Sequence, residues 1–254
     1  MKKIYFASDL HLGIDTKLDS KTREILFCQW LDEIKVDASE LFLMGDVFDF
    51  WFEYHRVVPK HFVRILGKLA ELSDHGIQLH YFSGNHDLWL LDYFHKELNA
   101  TIYHDRVVIQ RGQHTFFLAH GDGLGPEDIG YKRMKKLFRL PLAQTLYRWL
   151  HPDLGILLAS YFSRKSRSSQ SHQAIYYGDH REWLVQYVEK KSKELQADFY
   201  VFGHRHLPID YKLKNAQSRY INLGDWMQHF SYAVYDGSDL YLKFYHNPSG
   251  RIYP

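Results

Sequence analysis

Four runs dense in β-branched and aromatic residues alternate with segments of helical periodicity. The runs are Lys3-Ile4-Tyr5-Phe6-Ala7-Ser8, Glu40-Leu41-Phe42-Leu43-Met44, Gln78-Leu79-His80-Tyr81-Phe82 and Asp198-Phe199-Tyr200-Val201-Phe202. Between them, Ile25, Leu26, Trp30, Leu31 and Ile34 fall at helical spacing, as do Phe62, Ile65, Leu66, Leu69 and Leu72. Parallel strands need long crossovers, so this order predicts parallel pairing with helices on the sheet faces. The C-terminal runs Tyr220-Ile221-Asn222-Leu223, Tyr232-Ala233-Val234-Tyr235 and Leu240-Tyr241-Leu242-Lys243-Phe244 are joined by short links such as Asp236-Gly237-Ser238, which predicts antiparallel strands. The expected fold is α/β: a two-layer β-sandwich core flanked by helices, in a single domain over residues 1–254.

Composition narrows the classes. A chain of 254 residues can bury a core without covalent help. Cys28 is the single cysteine, so an internal disulfide and a cysteine-based zinc site are both excluded, which suits a reducing compartment. Asp9 arrives too early for a signal-type apolar region, and the longest uncharged apolar stretch, 154–163, is about half the length of a spanning helix. The expectation is a cytoplasmic protein. A net charge of +2 argues against a general polyanion binder. Residues 131–167 stand apart, with nine basic residues and one acid, Asp153. That segment carries +8 and leaves −6 for the rest of the chain. It is also rich in Leu, Tyr, Phe and Trp, and Pro141, Pro152 and Gly155 divide it into short helices.

Five short motifs follow expected strands: Asp9-Leu10-His11, Gly45-Asp46-Val47-Phe48-Asp49, Gly84-Asn85-His86-Asp87, His120-Gly121-Asp122 and Gly203-His204-Arg205-His206. Loops beyond the carboxyl ends of parallel strands gather at one sheet edge, so these side chains should converge. Carboxylate, imidazole and amide donors together suit manganese, iron or zinc better than calcium. Taken singly, each motif has a plainer reading. Asp-x-His is usually a loop, Gly-Asp-x-x-Asp a helix cap, and Gly-Asn-His-Asp a turn. Their conjunction, in this order and each at a strand end, points to a metal centre. The other histidines lack that context and are expected at the surface or satisfied in the core.

The five motifs resemble the signature of the calcineurin-like metallophosphoesterases, over residues 1–223. The resemblance implies an αββα sandwich with two divalent ions, most readily Mn(2+), with Fe or Zn as alternatives. One ion would be held by Asp9, His11, Asp46 and His206, the other by Asp46, Asn85, His120 and His204. Two ions about 3.5–4 Å apart activate a shared water and offset phosphoryl charge. His86 is expected as the catalytic group, stabilising the transition state or moving a proton. Asp49 and Asp87 are expected to orient imidazoles from behind the metal shell.

Within that family, Gly45-Asp46-Val47-Phe48-Asp49-Phe50-Trp51 and His120-Gly121-Asp122-Gly123-Leu124, followed by Asp128-Ile129-Gly130-Tyr131, look like the UDP-2,3-diacylglucosamine diphosphatases of lipid A synthesis. That resemblance implies cleavage of the substrate's pyrophosphate to UMP and an acylated glucosamine 1-phosphate, at the inner face of the cytoplasmic membrane, with no nucleic-acid or obligate protein partner. It also implies a helical lid at 125–171. The 84 residues from His120 to His204 exceed twice the earlier motif spacings of 37, 39 and 35. Substrate contacts are expected from Asn85, His86, Asp128, Tyr131, Ser163, Arg167, Gln170 and His204. Arg167 and Gln170 stand where better-known members have Asn and Lys, and His86 stands where they have Arg. Two other readings compete. A phosphoesterase of the same fold could act on another nucleotide, lipid or phosphoprotein ester. A non-enzymatic adaptor would have lost ligands, and every ligand position is filled. A nuclease would want an extended basic surface rather than one basic, apolar insert.

Overall fold

The computed structural model describes residues 2–125, 129–169, 175–176, 178, 181–247 and 250–254, with the side chains of 129–131, 160, 162 and 164–169 outside the described set. Two sheets form the centre. In the first, β1 (Lys3–Ala7), β2 (Ala38–Leu43), β3 (Gln78–Phe82) and β4 (Thr101–Tyr103) run parallel. The second contains β5 (Val107–Arg111), β6 (His114–Ala119), β7 (Phe199–Phe202), β8 (Pro208–Lys212) and β9 (Arg219–Leu223), in the order β5-β6-β7-β9-β8. The strands β10 (Ser231–Tyr235) and β11 (Leu240–Phe244) return to the first sheet, where β10 pairs antiparallel with β1.

Side-chain alternation explains the layering. Along β1, Ile4 and Phe6 enter an apolar layer with Phe42, Phe116, Leu118, Val201 and Ile221, residues of both sheets. Tyr5 and Ala7 point the other way, into a cluster with Phe27, Trp30 and Leu31 of α1 (Ser20–Ile34) and Ile65 and Leu69 of α2 (Val63–Asp74). On β7, Phe199 and Val201 face the inter-sheet layer, whereas Tyr200 and Phe202 face Leu184, Val185 and Val188 of α7 (Trp183–Lys191). The result is helix, sheet, sheet, helix, as the alternation predicted. The first helix begins where Asp19 accepts the Thr22 N–H at 2.9 Å, satisfying a donor that the helix leaves unpaired. A short α3 (Tyr93–Leu98) precedes β4.

The C-terminal strands meet expectation in part: β10 and β11 pair antiparallel, as β9 does with β8. They form no single meander: β9 pairs parallel with β7, and β10 lies in the other sheet. The chain changes sheets between Leu223 and Ser231. Gly224, at φ +71°, makes the turn in a backbone region that disfavours side chains, and Asp225 accepts the amides of Met227, Gln228 and His229. Between β6 and α7 the described residues form three helices, α4 (Ile129–Phe138), α5 (Pro141–Arg148) and α6 (Pro152–Ser169). Tyr147 anchors them by packing among Phe52, Tyr54 and Trp89, and the Trp89 indole donates to the Phe138 carbonyl at 2.7 Å.

Candidate metal centre

All five motifs sit at the carboxyl ends of β1, β2, β3, β6 and β7, so both sheets contribute to one edge. Asp9, His11, Asp46, His204 and His206 all have positive φ, between 45° and 66°. Non-glycine residues rarely adopt this region, and its concentration at one site marks a functional constraint. The strand ends enforce it. Asp9 N donates to the Gly45 carbonyl at 3.1 Å and His11 N to the Asp46 carbonyl at 3.0 Å, so the β1 and β2 loops brace each other. Arg23 is buried beneath them and donates to the carbonyls of His11, Ile14 and Leu18 at 2.7–2.9 Å. Gly84 and Gly203 are required by proximity: a Cβ at the first would fall on Asp46 Oδ1, and at the second on Ser8 Oγ.

Among the described residues three donor groups result, each with atoms within 4.8 Å of one another: Asp9, His11 and His206; His11, Asp46 and His86; and Asp46, His120 and His204. His206 Nε2 lies 3.3 Å from Asp9 Oδ1, and His11 Nε2 lies 3.6 Å from Asp46 Oδ2. His120 Nε2 lies 3.4 Å from Asp46 Oδ2 and 3.3 Å from Asn85 Oδ1, which joins Asn85 to the third group. Asp46 is thus shared between neighbouring groups. Among the described residues, Asp9 Oδ1 and both ring nitrogens of His11 are buried without hydrogen-bond partners. Buried polar atoms are normally satisfied, so these orphans fit a cation that they would coordinate.

Electrostatics agree. Burial alone would raise the Asp9 carboxyl, but His206 and His11 outweigh it and hold it at about 2. Burial opposes charge on His11 and His120, yet the surrounding carboxylates push both up to about 10. His204 is brought down to about 4 by burial and by His120. Carboxylates this close demand compensating positive charge, which divalent cations would supply.

The outer contacts divide the expected roles. Asp49 Oδ1 lies 3.7 Å from His11 Nδ1 and 3.4 Å from His86 Nδ1. Asp87 does not orient an imidazole. Its carboxylate accepts the amides of Asp46, Val47 and Gly84 and the Tyr81 hydroxyl at 2.7–3.2 Å, which knits the β2 and β3 loops together. With those donors filling its oxygens, it has no capacity left for a histidine. Burial and Asp46 push its carboxyl up to about 6.

Sequence reasoning missed Asp225, whose Oδ2 lies 3.5 Å from His206 Nδ1. It also missed Ser8, which donates to Asp9 Oδ2 at 2.6 Å. The Met44 carbonyl, 2.8 Å from His120 Nδ1, turns Nε2 towards Asp46. Ser163 of α6 is buried against the site, donating to Asp49 Oδ2 at 3.0 Å and lying 3.1 Å from His86 Nδ1. Asp128 and Gln170 lie outside the described residues, as do the side chains of Tyr131, in α4, and Arg167, in α6.

Paired sheets that deliver carboxylates and imidazoles to one edge define a metal-dependent hydrolase of phosphoric esters. A family model described as calcineurin-like phosphoesterase matches residues 2–208. The chain belongs to that family. A UDP-2,3-diacylglucosamine hydrolase of Porphyromonas gingivalis is 42% identical over 254 aligned residues, covering 95% of this chain and 97% of that one. A protein of the same name from Pseudomonas syringae is 32% identical, covering 88% of each chain. Among solved structures, that of Yfce, a phosphoesterase from E. coli, covers 94% of this chain and 90% of its own at 17% identity and a TM-score of 0.47.

Proposed function

We propose that the protein hydrolyses the pyrophosphate of UDP-2,3-diacylglucosamine, releasing UMP and 2,3-diacylglucosamine 1-phosphate for lipid A synthesis. The observation that carries this reading is the helical insertion, residues 125–171, which we read as a lid. Ser163 of α6 meets the donor groups, while Leu137, Leu142, Leu146, Trp149, Leu154 and Leu157 are exposed on its helices. Exposed apolar residues on helices that reach a polar centre through Ser163, mixed with Arg and Lys, fit a substrate with acyl chains and a charged head. It also fits peripheral contact with the inner face of the cytoplasmic membrane. Among the described residues, no helix is long and apolar enough to cross a membrane. The full-length likeness to proteins named for this substrate supports the same choice.

In this reading Asp9, His11, Asp46 and His206 hold one divalent ion, and Asp46, Asn85, His120 and His204 hold a second, Mn(2+) being the best match to the donor set. When bound, such ions activate water and offset charge on the phosphoryl oxygens. The protein's own groups do the rest. The Met44 carbonyl and Asp225 fix the ring orientations of His120 and His206. The Asp49 carbonyl, 3.1 Å from His86 Nδ1, keeps the proton on that nitrogen. Nε2 is then the atom that can exchange a proton with the ester. Burial lowers the His86 pKa, which keeps the ring neutral and able to accept. The lid excludes bulk water from the reacting phosphate.

The test compares UMP release from UDP-2,3-diacylglucosamine and from a non-acylated UDP-sugar, in the wild type and in a Leu137→Asp, Leu146→Asp double variant. Activity confined to the acylated substrate, and lost in the variant while a small generic phosphodiester is still cleaved, supports the reading. Equal turnover of both UDP-sugars, or a variant indistinguishable from wild type, overturns it.

A further inference from the structure

A cavity of about 440 Å³ opens beside the metal-binding edge, within the size range of small-molecule sites. Its walls include Ser83, His104, Arg106, Asp122 and Lys135, and its inner end reaches His120. His120 belongs to the donor group with Asp46 and His204, so a phosphate held there would be continuous with the cavity. Ser163 approaches through His86, which groups instead with His11 and Asp46. The Ser163 contact and the cavity thus adjoin different donor groups that share Asp46, and Lys135 of α4 lines the cavity as well.

From this arrangement we infer that the cavity is the subsite for the nucleoside half of the substrate and holds the pyrimidine nucleoside monophosphate until it leaves. The inference rests on the reading that the substrate is a nucleoside diphosphate ester.

Two observations carry it independently of the cavity's size. Ser83 is 4% exposed, and its hydroxyl has no hydrogen-bond partner among the described residues. A hydroxyl left unpaired in a wall is costly unless a ligand completes it. The wall chemistry is also mixed. Lys135 has three N–H donors, and the structure pairs it with Asp122; Arg106 reaches the Tyr187 hydroxyl at 3.3 Å from the rim. An acyl chain here would bury hydroxyl, guanidinium, imidazole and carboxylate against hydrocarbon, with nothing in return. A ribosyl pyrimidine offers carbonyl acceptors, an imide donor and a diol, which suit a wall where Arg106 and Lys135 are offset by Asp105 and Asp122. The apolar face of the lid is left for the acylated half, so the substrate lies across Asp46 with the scissile linkage at the centre.

The experiment measures equilibrium binding of UMP and of inorganic phosphate to the manganese-loaded protein, by calorimetry, in wild type, Ser83→Ala and Arg106→Leu. Wild type should bind UMP at least about tenfold more tightly than phosphate, and each substitution should weaken UMP about five- to tenfold while moving phosphate less than about twofold. Arg106 is an exposed residue, so its variant guards against a misfolded Ser83→Ala. UMP bound no better than phosphate, or both ligands weakened alike, overturns the assignment. If wild type cleaves UDP-2,3-diacylglucosamine while UMP affinity ignores both substitutions, the subsite falls and the function stands. If UMP binding depends on both residues but no UDP-sugar is cleaved, the subsite stands and the function falls.

Discussion

The Ser163 hydroxyl lies 3.1 Å from His86 Nδ1 across 77 residues of sequence, joining the helical insertion to the Gly-Asn-His-Asp loop. The same hydroxyl donates to Asp49 Oδ2 at 3.0 Å, so α6, the β2 loop and the β3 loop share one small network. Ser163→Ala should lower kcat about tenfold and leave metal content unchanged, because it loosens His86 without touching the expected ligands. His86→Ala should lower kcat by about 10²–10⁴, again with metal retained. Elemental analysis alongside steady-state kinetics separates the cases. Loss of metal in the His86 variant would make that ring a ligand, in keeping with its proximity to His11 and Asp46.

Asp46 lies in two of the three donor groups and is within 3.6 Å of both His11 and His120. Asp46→Ala should therefore lose both ions, whereas His11→Ala should weaken chiefly one. The metal-to-protein ratio after gel filtration reads this directly. Full occupancy in Asp46→Ala would refute a bridging role.

Asp225 backs His206 from the loop that carries the chain between sheets. Its Oδ1 is committed to three backbone amides, so Asp225→Asn should preserve the turn and remove only the charge behind the imidazole. Metal affinity should fall about 10–100-fold, the usual effect of such outer contacts. Chelator competition measures it, and a melting temperature close to wild type would show that the fold is intact. Unaltered affinity would mean that Asp225 serves the turn alone.

Outside the donor groups, Glu40 accepts from Arg111 Nε at 2.7 Å and lies 3.0 Å from His80 Nε2. Burial would raise its pKa, but the His80 and Arg111 hydrogen bonds prevail and hold it at about 2, below the ordinary 4.5. A depressed carboxyl contributes stability that is complete above the unfolded value and fades as pH falls through the folded one. Glu40→Gln should lower stability by about 2 kcal/mol near neutrality, and the gap should close between pH 4.5 and 2. Urea unfolding at pH 7, 4 and 3 follows the approach. A difference that does not vary as pH falls through that window would reassign the effect to packing.

What the sequence revealed was local. Strand ends and their motifs are contiguous, so Asp9-Leu10-His11 and Gly203-His204-Arg205-His206 could be read directly, and the parallel order followed from alternation with helices. His80, set aside for lack of context, indeed sits in the core beside Glu40. What stayed hidden depends on segments that meet only in space. Asp225 lies 19 residues beyond His206 in a loop with no motif, and the burial of Arg23 beneath the site gives no periodic signal. The placement of β9 failed for a similar reason. Short turns between strands suggest neighbours, but they do not say which sheet a strand joins.

The inter-sheet layer is also a ruler. Each outer donor group draws on both sheets: Asp9 and His11 follow β1 while His206 follows β7, and Asp46 follows β2 while His120 and His204 follow β6 and β7. The gap between those contributions is set by the thickness of hydrocarbon beneath them, with Phe6 and Phe116 stacked at 6.0 Å across it. Close-packed interiors transmit strain rather than absorb it. Trimming Phe116 would then shift the two halves of the coordination shell against each other. Spacing between donor groups, ordinarily credited to the ligands themselves, is here calibrated by residues outside them.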